Sequence, residues 1–219
     1  MATLIVWTFP RYLQLLMKFK LFGIYFSVSF PAVAFLSIAL IADNKGTFIV
    51  CLISSFLHEL GHLLALRITG AKIDSVRFNL GDVAIKADYS KLSSNAEIVV
   101  SLSGVLVNLL LSIVGFLFWQ IFSTEFLLNV IISNLLIAAF NLLPVRFLDG
   151  GQVILLILQK FLDAFAAEKI VNILTVVFLI PIAIAGFVFV FNSSYNFSLL
   201  FVALYIICTL VSKEFKNVS

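Results

Sequence analysis

The chain has 219 residues, 63% hydrophobic and only 11% charged, with a net charge of +3 and a mean hydropathy of +1.19. A soluble globular domain is nearer half apolar and a quarter charged, so this composition excludes an ordinary water-soluble enzyme and fits an integral membrane protein built as one domain, 1–219. Cys51 and Cys208 form no CxxC pair and lie in apolar runs, which argues for packing rather than a disulfide or metal role.

A hydrocarbon core about 30 Å thick takes roughly 20 apolar residues per helix. In chain order, six spans are predicted: about 21–42, 47–68, 98–122, 126–143, 170–191 and 197–211. The first is too long for a cleaved signal sequence, and no small-residue cleavage site follows it. Pro31 and Pro181 fall inside the first and fifth, where a kink is tolerated in membrane helices. Every Lys and Arg except Lys45 falls on one side of a six-span arrangement. Basic residues stay cytoplasmic, so both termini are expected there, in a multi-pass protein of a cell membrane.

Between the second and third spans, residues 72–89 (KIDSVRFNLGDVAIKADY) alternate apolar and polar about a turn at Gly81-Asp82. That pattern predicts a β-hairpin, either a solvated cytoplasmic hairpin or an edge strand able to pair with an extended peptide. Residues 152–169 begin apolar and helical, as a short interfacial helix or an early start to the fifth span. The expected fold is an all-α polytopic membrane protein: six transmembrane helices with a small cytoplasmic β-hairpin between helices two and three.

The second span carries FLHELGHLLA, residues 56–65, which places three titratable side chains in an apolar run. His58 and His62 are four apart, so they project from one helix face. Two imidazoles so placed can bind one metal ion, with Glu59 beside them to handle a proton; HExxH carries that chemistry in zinc metalloproteases. These are the chain's two histidines, and chance placement in this composition is roughly two in ten thousand. The bland alternative is a buried pair satisfied by carbonyls, but ionisable groups at membrane depth are costly and usually functional.

Catalytic zinc takes three protein ligands and keeps a fourth position for water. The third should be a carboxylate near the same depth. NLLPVRFLDGGQ, residues 141–152, offers Asp149 just past the fourth span, which runs in the same direction as the second. The bland reading of Asp149 is a capping aspartate in a D-G-G turn. Glu97, Glu125, Asp163 and Glu168 sit at ends or in loops and are weaker candidates.

HELGH on the second span, followed by N-x-x-P-x-x-x-L-D-G-G after the fourth, resembles the site-2 protease family of intramembrane zinc metalloproteases, peptidase family M50. Within it the chain is similar to the sporulation subgroup, which processes a membrane-tethered pro-sigma factor; KLFGIY at 20–25 matches how that subgroup begins. The resemblance runs from about residue 20 to about residue 154. It implies one zinc ion per chain on His58, His62 and Asp149, with Glu59 as catalytic base and Asn141 and Pro144 shaping the active-site loop. It also implies an active site in the cytoplasmic half of the membrane and a membrane-tethered protein substrate such as a pro-sigma or anti-sigma factor. Beyond the substrate, the expected partners are the lipid bilayer and a membrane regulatory protein, not nucleic acid. Many relatives carry A-G-P-x-x-N on the third span; Ser103-Gly104-Val105-Leu106-Val107-Asn108 keeps the glycine and asparagine without the proline. Asn108 is thus a further candidate near the site, or a helix–helix hydrogen bonder. The PDZ and CBS domains of many relatives are not expected here, so control by ATP through a CBS domain is not implied.

Three rival readings stand beside this one. A metal-ion transporter would also place histidines and carboxylates at depth, yet no second polar site lies along a path. A catalytically inactive scaffold would not need the intact Glu59. A CAAX-processing protease would take a glutamate ligand from a later helix, and none lies at depth.

Overall fold

A computed structural model describes residues 16–21, 24–43, 46–79 and 82–192. The predicted sixth span, 197–211, lies outside the described residues, as do Lys45 and Gly81. The order is β1 (Leu16–Leu21), β2 (Ile24–Ser29), α1 (Phe30–Ala42), α2 (Thr47–Ile68), β3 (Lys72–Asn79), β4 (Asp82–Asp88), α3 (Ser94–Phe122), α4 (Glu125–Asn141), α5 (Asp149–Leu158) and α6 (Ala164–Asn192). These divide into two compact units, Met1–Ala138 and Ala139–Ser219.

In the first unit the predicted hairpin is present: β3 and β4 are antiparallel, with Val76 opposite Ile85 and Phe78 opposite Val83. It belongs to a larger element than expected. The sheet has four strands in the order β1-β2-β3-β4, with β1 antiparallel to β2 and β2 parallel to β3 through the α1–α2 crossover. The chain is mostly helical, as expected, but its sheet is larger than the hairpin predicted, and the first span is corrected with it. The segment predicted as the start of a helix at residue 21 is instead strand up to Ser29, and the helix begins at Phe30. The reason is period two. Ile24, Phe26 and Val28 alternate with Tyr25, Ser27 and Ser29, so one face is apolar when the segment pleats. Phe26 pairs with Val76 and Val28 with Phe78, and Val76 is fully buried. Hydropathy averaged over a window does not see this alternation.

The remaining α1 has 13 residues, about 20 Å of helix, short of the ~30 Å core. Pro31 is not a kink within a span. It stands in the first turn of α1, where its missing N–H would have had no intrahelical partner anyway. Helix α2 has the predicted bounds. Helix α3 starts four residues before the predicted span, capped by Ser93, whose Oγ accepts the Ala96 N–H at 3.3 Å. Helix α4 ends at Asn141, two residues earlier than predicted. Both readings of residues 152–169 hold in part: the apolar stretch is the short helix α5, and α6 begins at Ala164.

Among the described residues three helices are long and apolar enough to cross a membrane: Thr47–Ile68, Ser94–Phe122 and Ala164–Ile182. The apolar helices and the composition identify a membrane protein. Large side chains along α3, among them Leu106, Leu110, Ile113 and Leu117, are exposed, as they would be against lipid.

Helix α2 lies on α3 through small residues. A Cβ on Gly61 would meet the Ser103 carbonyl oxygen at 2.9 Å and the Gly104 Cα at 3.2 Å. Without side chains at Gly61 and Gly104 the two backbones approach closely, the arrangement that small residues permit between membrane helices.

Candidate metal centre

Helix α2 turns one narrow stripe inward: Val50, Ser54, His58, Gly61, His62 and Leu66 are buried. The spacing of three and four residues is one helix face. Facing it, α3 buries Val100, Gly104, Val105, Asn108, Ser112 and Gly115. The two histidines therefore rest on a neighbouring backbone rather than project into a wide cavity.

Gly104 makes the room. A Cβ there would come 2.5 Å from His62 Nε2 and 2.7 Å from His58 Nε2, so any side chain would overlap both nitrogens. The rings stand edge to face, with centroids 4.8 Å apart. Their Nε2 atoms are 3.2 Å apart.

Hydrogen bonds on the far side of each ring favour one tautomer. His62 Nδ1 is 2.8 Å from the Val100 carbonyl oxygen, which can only accept, so Nδ1–H donates and Nε2 keeps its lone pair. His58 Nδ1 is 2.6 Å from Asn108 Oδ1. The Asn108 amide is oriented by its other end, since Nδ2 donates to Asn134 Oδ1 at 2.8 Å and to the Ser54 carbonyl at 3.3 Å. His58 Nδ1–H thus donates as well, and its Nε2 keeps a lone pair. Two imidazoles, each held by its Nδ1–H with Nε2 turned inward, are the arrangement that orients histidine ligands on a metal.

The spacing fits an ion. Nitrogens at about 2.0–2.1 Å from a tetrahedral zinc stand about 3.3–3.4 Å from each other, against the 3.2 Å observed. Glu59 follows His58 in α2 and is partly buried.

The second unit holds the other predicted residues. Asn141 is the last residue of α4. A tight turn follows, in which the Val145 N–H donates to the Leu143 carbonyl at 2.7 Å and the Leu148 N–H to that of Val145 at 2.9 Å. Pro144 lies in this turn. Asp149 opens α5 in its first turn, with Leu148 at the N-cap, a position that favours an anion. The glycines after it are steric necessities: a Cβ on Gly150 would strike the Leu142 carbonyl, and one on Gly151 that of Val145. The first turn of α5 thus sits directly on the backbone of the preceding turn, which fixes where Asp149 begins.

Helix α6 clasps the same turn by contacts that the sequence reading missed. The Arg146 N–H donates to Thr175 Oγ1 at 2.9 Å, and its guanidinium reaches Asn172 Oδ1 at 3.1 Å and Glu168 Oε1 at 3.0 Å. Val145 packs on Leu179. The signal was available, because Glu168, Asn172, Thr175 and Leu179 recur every three or four residues on one helix face. Ser54 and Asn134 were also missed; the signal for each was a polar residue in an apolar run.

The chain is similar to known proteins in sequence and in fold. A match to Peptidase family M50 covers residues 118–185, which includes the Asp149 segment and not HELGH. A zinc metalloprotease of Methanocaldococcus jannaschii is 28% identical over 165 residues, 69% of this chain and 48% of that protein. The chain spans about half the length of the curated relatives it matches, 47% in the case of a Bacillus subtilis protein. The solved structure of a site-2 protease from M. jannaschii matches with a TM-score of 0.66 at 25% identity, over 87% of this chain and 91% of that one. The family match, the curated relatives and the fold together make the chain similar to M50 zinc metalloproteases of the site-2 protease type.

Proposed function

We propose that the chain is an intramembrane zinc metalloprotease that hydrolyses a peptide bond in or beside the membrane segment of a membrane-tethered protein. The observation that carries the reading is the pair of Nε2 atoms 3.2 Å apart, each on a ring whose Nδ1 is hydrogen-bonded on the far side. Asp149 is the proposed third ligand. His58, His62 and Asp149 offer one ligand atom each, and two imidazoles with one carboxylate leave a fourth position open on zinc. Bound there, zinc would supply an acidified water and polarise a carbonyl.

The chain's own groups do the rest. Glu59 takes a proton from the attacking water and returns it to the leaving amine. The Asn141 amide is the proposed support for the oxyanion, and the Pro144 turn holds Asn141 and Asp149 close in sequence and in backbone. A helical substrate hides its carbonyls in backbone hydrogen bonds and must unwind first. The β3–β4 hairpin, with β4 at the edge of the four-stranded sheet among the described residues, is suited to hold an extended segment.

The rest of the reading is proposed with it: six spans, both termini cytoplasmic, the site in the cytoplasmic half of a bacterial membrane, one zinc per chain, and a pro-sigma or anti-sigma factor as substrate. The charge asymmetry supports the orientation. The test is co-expression with single-span and pro-sigma substrates, comparing wild type with Glu59→Gln. Cleavage by wild type alone, with zinc retained in both, is the expected result. Cleavage by a zinc-loaded Glu59→Gln protein would refute the base assignment. Zinc flux into vesicles without cleavage would favour the transporter.

A further inference from the structure

We propose that Asn134, together with Ser54, is a positioning residue of the metal centre: it fixes the amide of Asn108 and, through it, the ring tautomer of His58. For the metal, this rests on the function proposed above.

Asn134 lies in α4 within the apolar run IISNLLI and is 1% exposed. Its Nδ2 donates to the Val130 carbonyl at 2.8 Å and to Ser54 Oγ at 3.0 Å. A carbonyl oxygen only accepts, so the amide cannot be turned round, and its Oδ1 faces Asn108 Nδ2 at 2.8 Å. Asn108 is 0% exposed and spends its second N–H on the Ser54 carbonyl. Both of its donors are committed, and its oxygen is left for His58 Nδ1 at 2.6 Å. The chain of polarity runs one way, from Val130 to His58, and ends with a hydrogen on Nδ1 and a lone pair on Nε2.

Asn108 alone does not enforce that outcome. Turned over, its NH2 would face His58 Nδ1 and demand the other tautomer, whose Nε2–H cannot bind a metal. What forbids the turn is two acceptors on the opposite side, Asn134 Oδ1 and the Ser54 carbonyl. Remove the first, and the wrong orientation meets one acceptor instead of two. Buried polar networks of this kind act as a unit, and the groups behind a histidine ligand govern metal affinity by roughly 10–100-fold.

The plain alternative is that Asn134 is only a hydrogen-bonding link between α2, α3 and α4. Two measurements separate the roles. With two histidines in the chain, ¹⁵N-histidine labelling of the metal-free protein in detergent reads each tautomer directly, His62 serving as internal control. Zinc affinity is read by chelator competition. The wild type should show His58 as the Nδ1–H tautomer. Asn134→Leu should move it to a mixture or to Nε2–H, leave His62 unchanged and weaken zinc by about 10–100-fold. Asn134→Asp keeps an acceptor toward Asn108 and should keep both the tautomer and near-wild-type zinc binding, despite losing a donor. In an Asn108→Leu background, Asn134→Leu should add no further loss of zinc affinity. Should Asn134→Leu not fold, Asn134→Ala removes the same acceptor without bulk.

An unchanged His58 tautomer in both acceptor-lacking variants would overturn the proposal. So would equal zinc losses in Asn134→Leu and Asn134→Asp that track their melting temperatures. If the wild type binds no zinc while the tautomer still switches, the metal reading falls and the positioning role stands.

Discussion

Replacing Gly104 by alanine sets two forces against each other, and the structure says which wins. Gly104 lies within α3, where alanine is favoured over glycine by about 1 kcal/mol. On propensity alone the variant gains stability. The added methyl, however, would sit 2.5 Å from His62 Nε2 and 2.7 Å from His58 Cε1 and Nε2. Ordinary contact begins near 3.4 Å, so one or both rings must retreat by almost 1 Å. Their retreat is opposed at the far side by the 2.6 and 2.8 Å hydrogen bonds to Asn108 and Val100. Overpacking of this kind costs about 1–3 kcal/mol. The cost falls on the two nitrogens proposed to bind zinc, and about 1.4 kcal/mol is a factor of ten in affinity. Zinc binding by Gly104→Ala should therefore fall at least tenfold, with cleavage falling at least as far. Gly115→Ala is the matched control. Its methyl meets the Ile131 Cγ1 at 3.2 Å and Val130 Cγ1 at 3.5 Å, side-chain ends that can shift, so the helix gains and zinc is retained. The assay is zinc stoichiometry and chelator competition on both purified proteins, with a melting curve for each. A Gly104→Ala protein with wild-type zinc affinity would refute the steric reasoning and, with it, the histidine pair as ligands.

Glu59→Gln should retain zinc and lose cleavage by a factor on the order of 10²–10⁴, measured as product in co-expression with substrate. Asp149→Ala should lose stoichiometric zinc, read by metal analysis, while Asp163→Ala should not. Thr175→Val removes the buried acceptor of the Arg146 N–H and should cost about 1–3 kcal/mol; Glu168→Gln breaks a half-exposed ion pair and should cost at most about 1 kcal/mol. Denaturant or thermal midpoints in detergent separate those two.

What the sequence disclosed was what is periodic and strongly patterned. Helix α2 came out with its observed bounds because Thr47 to Ile68 is one apolar run ending at Arg67. The hairpin showed in the alternation of residues 72–89. The first two strands did not show, because Phe, Val and Ile serve a membrane helix and a buried sheet face equally well, and only the serines at 27 and 29 betrayed the shorter period. Of the site, His58 and His62 could be paired from spacing alone, since both lie on one helix. Their hydrogen-bond partners could not. The Val100 carbonyl carries no side-chain signal, and Asn134 reaches Ser54 across 80 residues, a pairing set by how helices cross.

That crossing explains why packing and chemistry draw on the same residues here. In lipid, apolar contact between helices gains little over contact with acyl chains, so association rests on close fit and interhelical hydrogen bonds. Along the buried stripe of α2 these are Ser54, His58, Gly61 and His62; along that of α3 they are Gly104, Asn108 and Ser112. Gly61 brings the two backbones together, Gly104 receives the imidazoles, and the amides of Asn108 and Asn134 tie both helices to α4. The residues that hold the helices together are therefore those that aim the two nitrogens. The 3.2 Å spacing is a property of the helix pair as a whole rather than of two side chains free to find an ion for themselves.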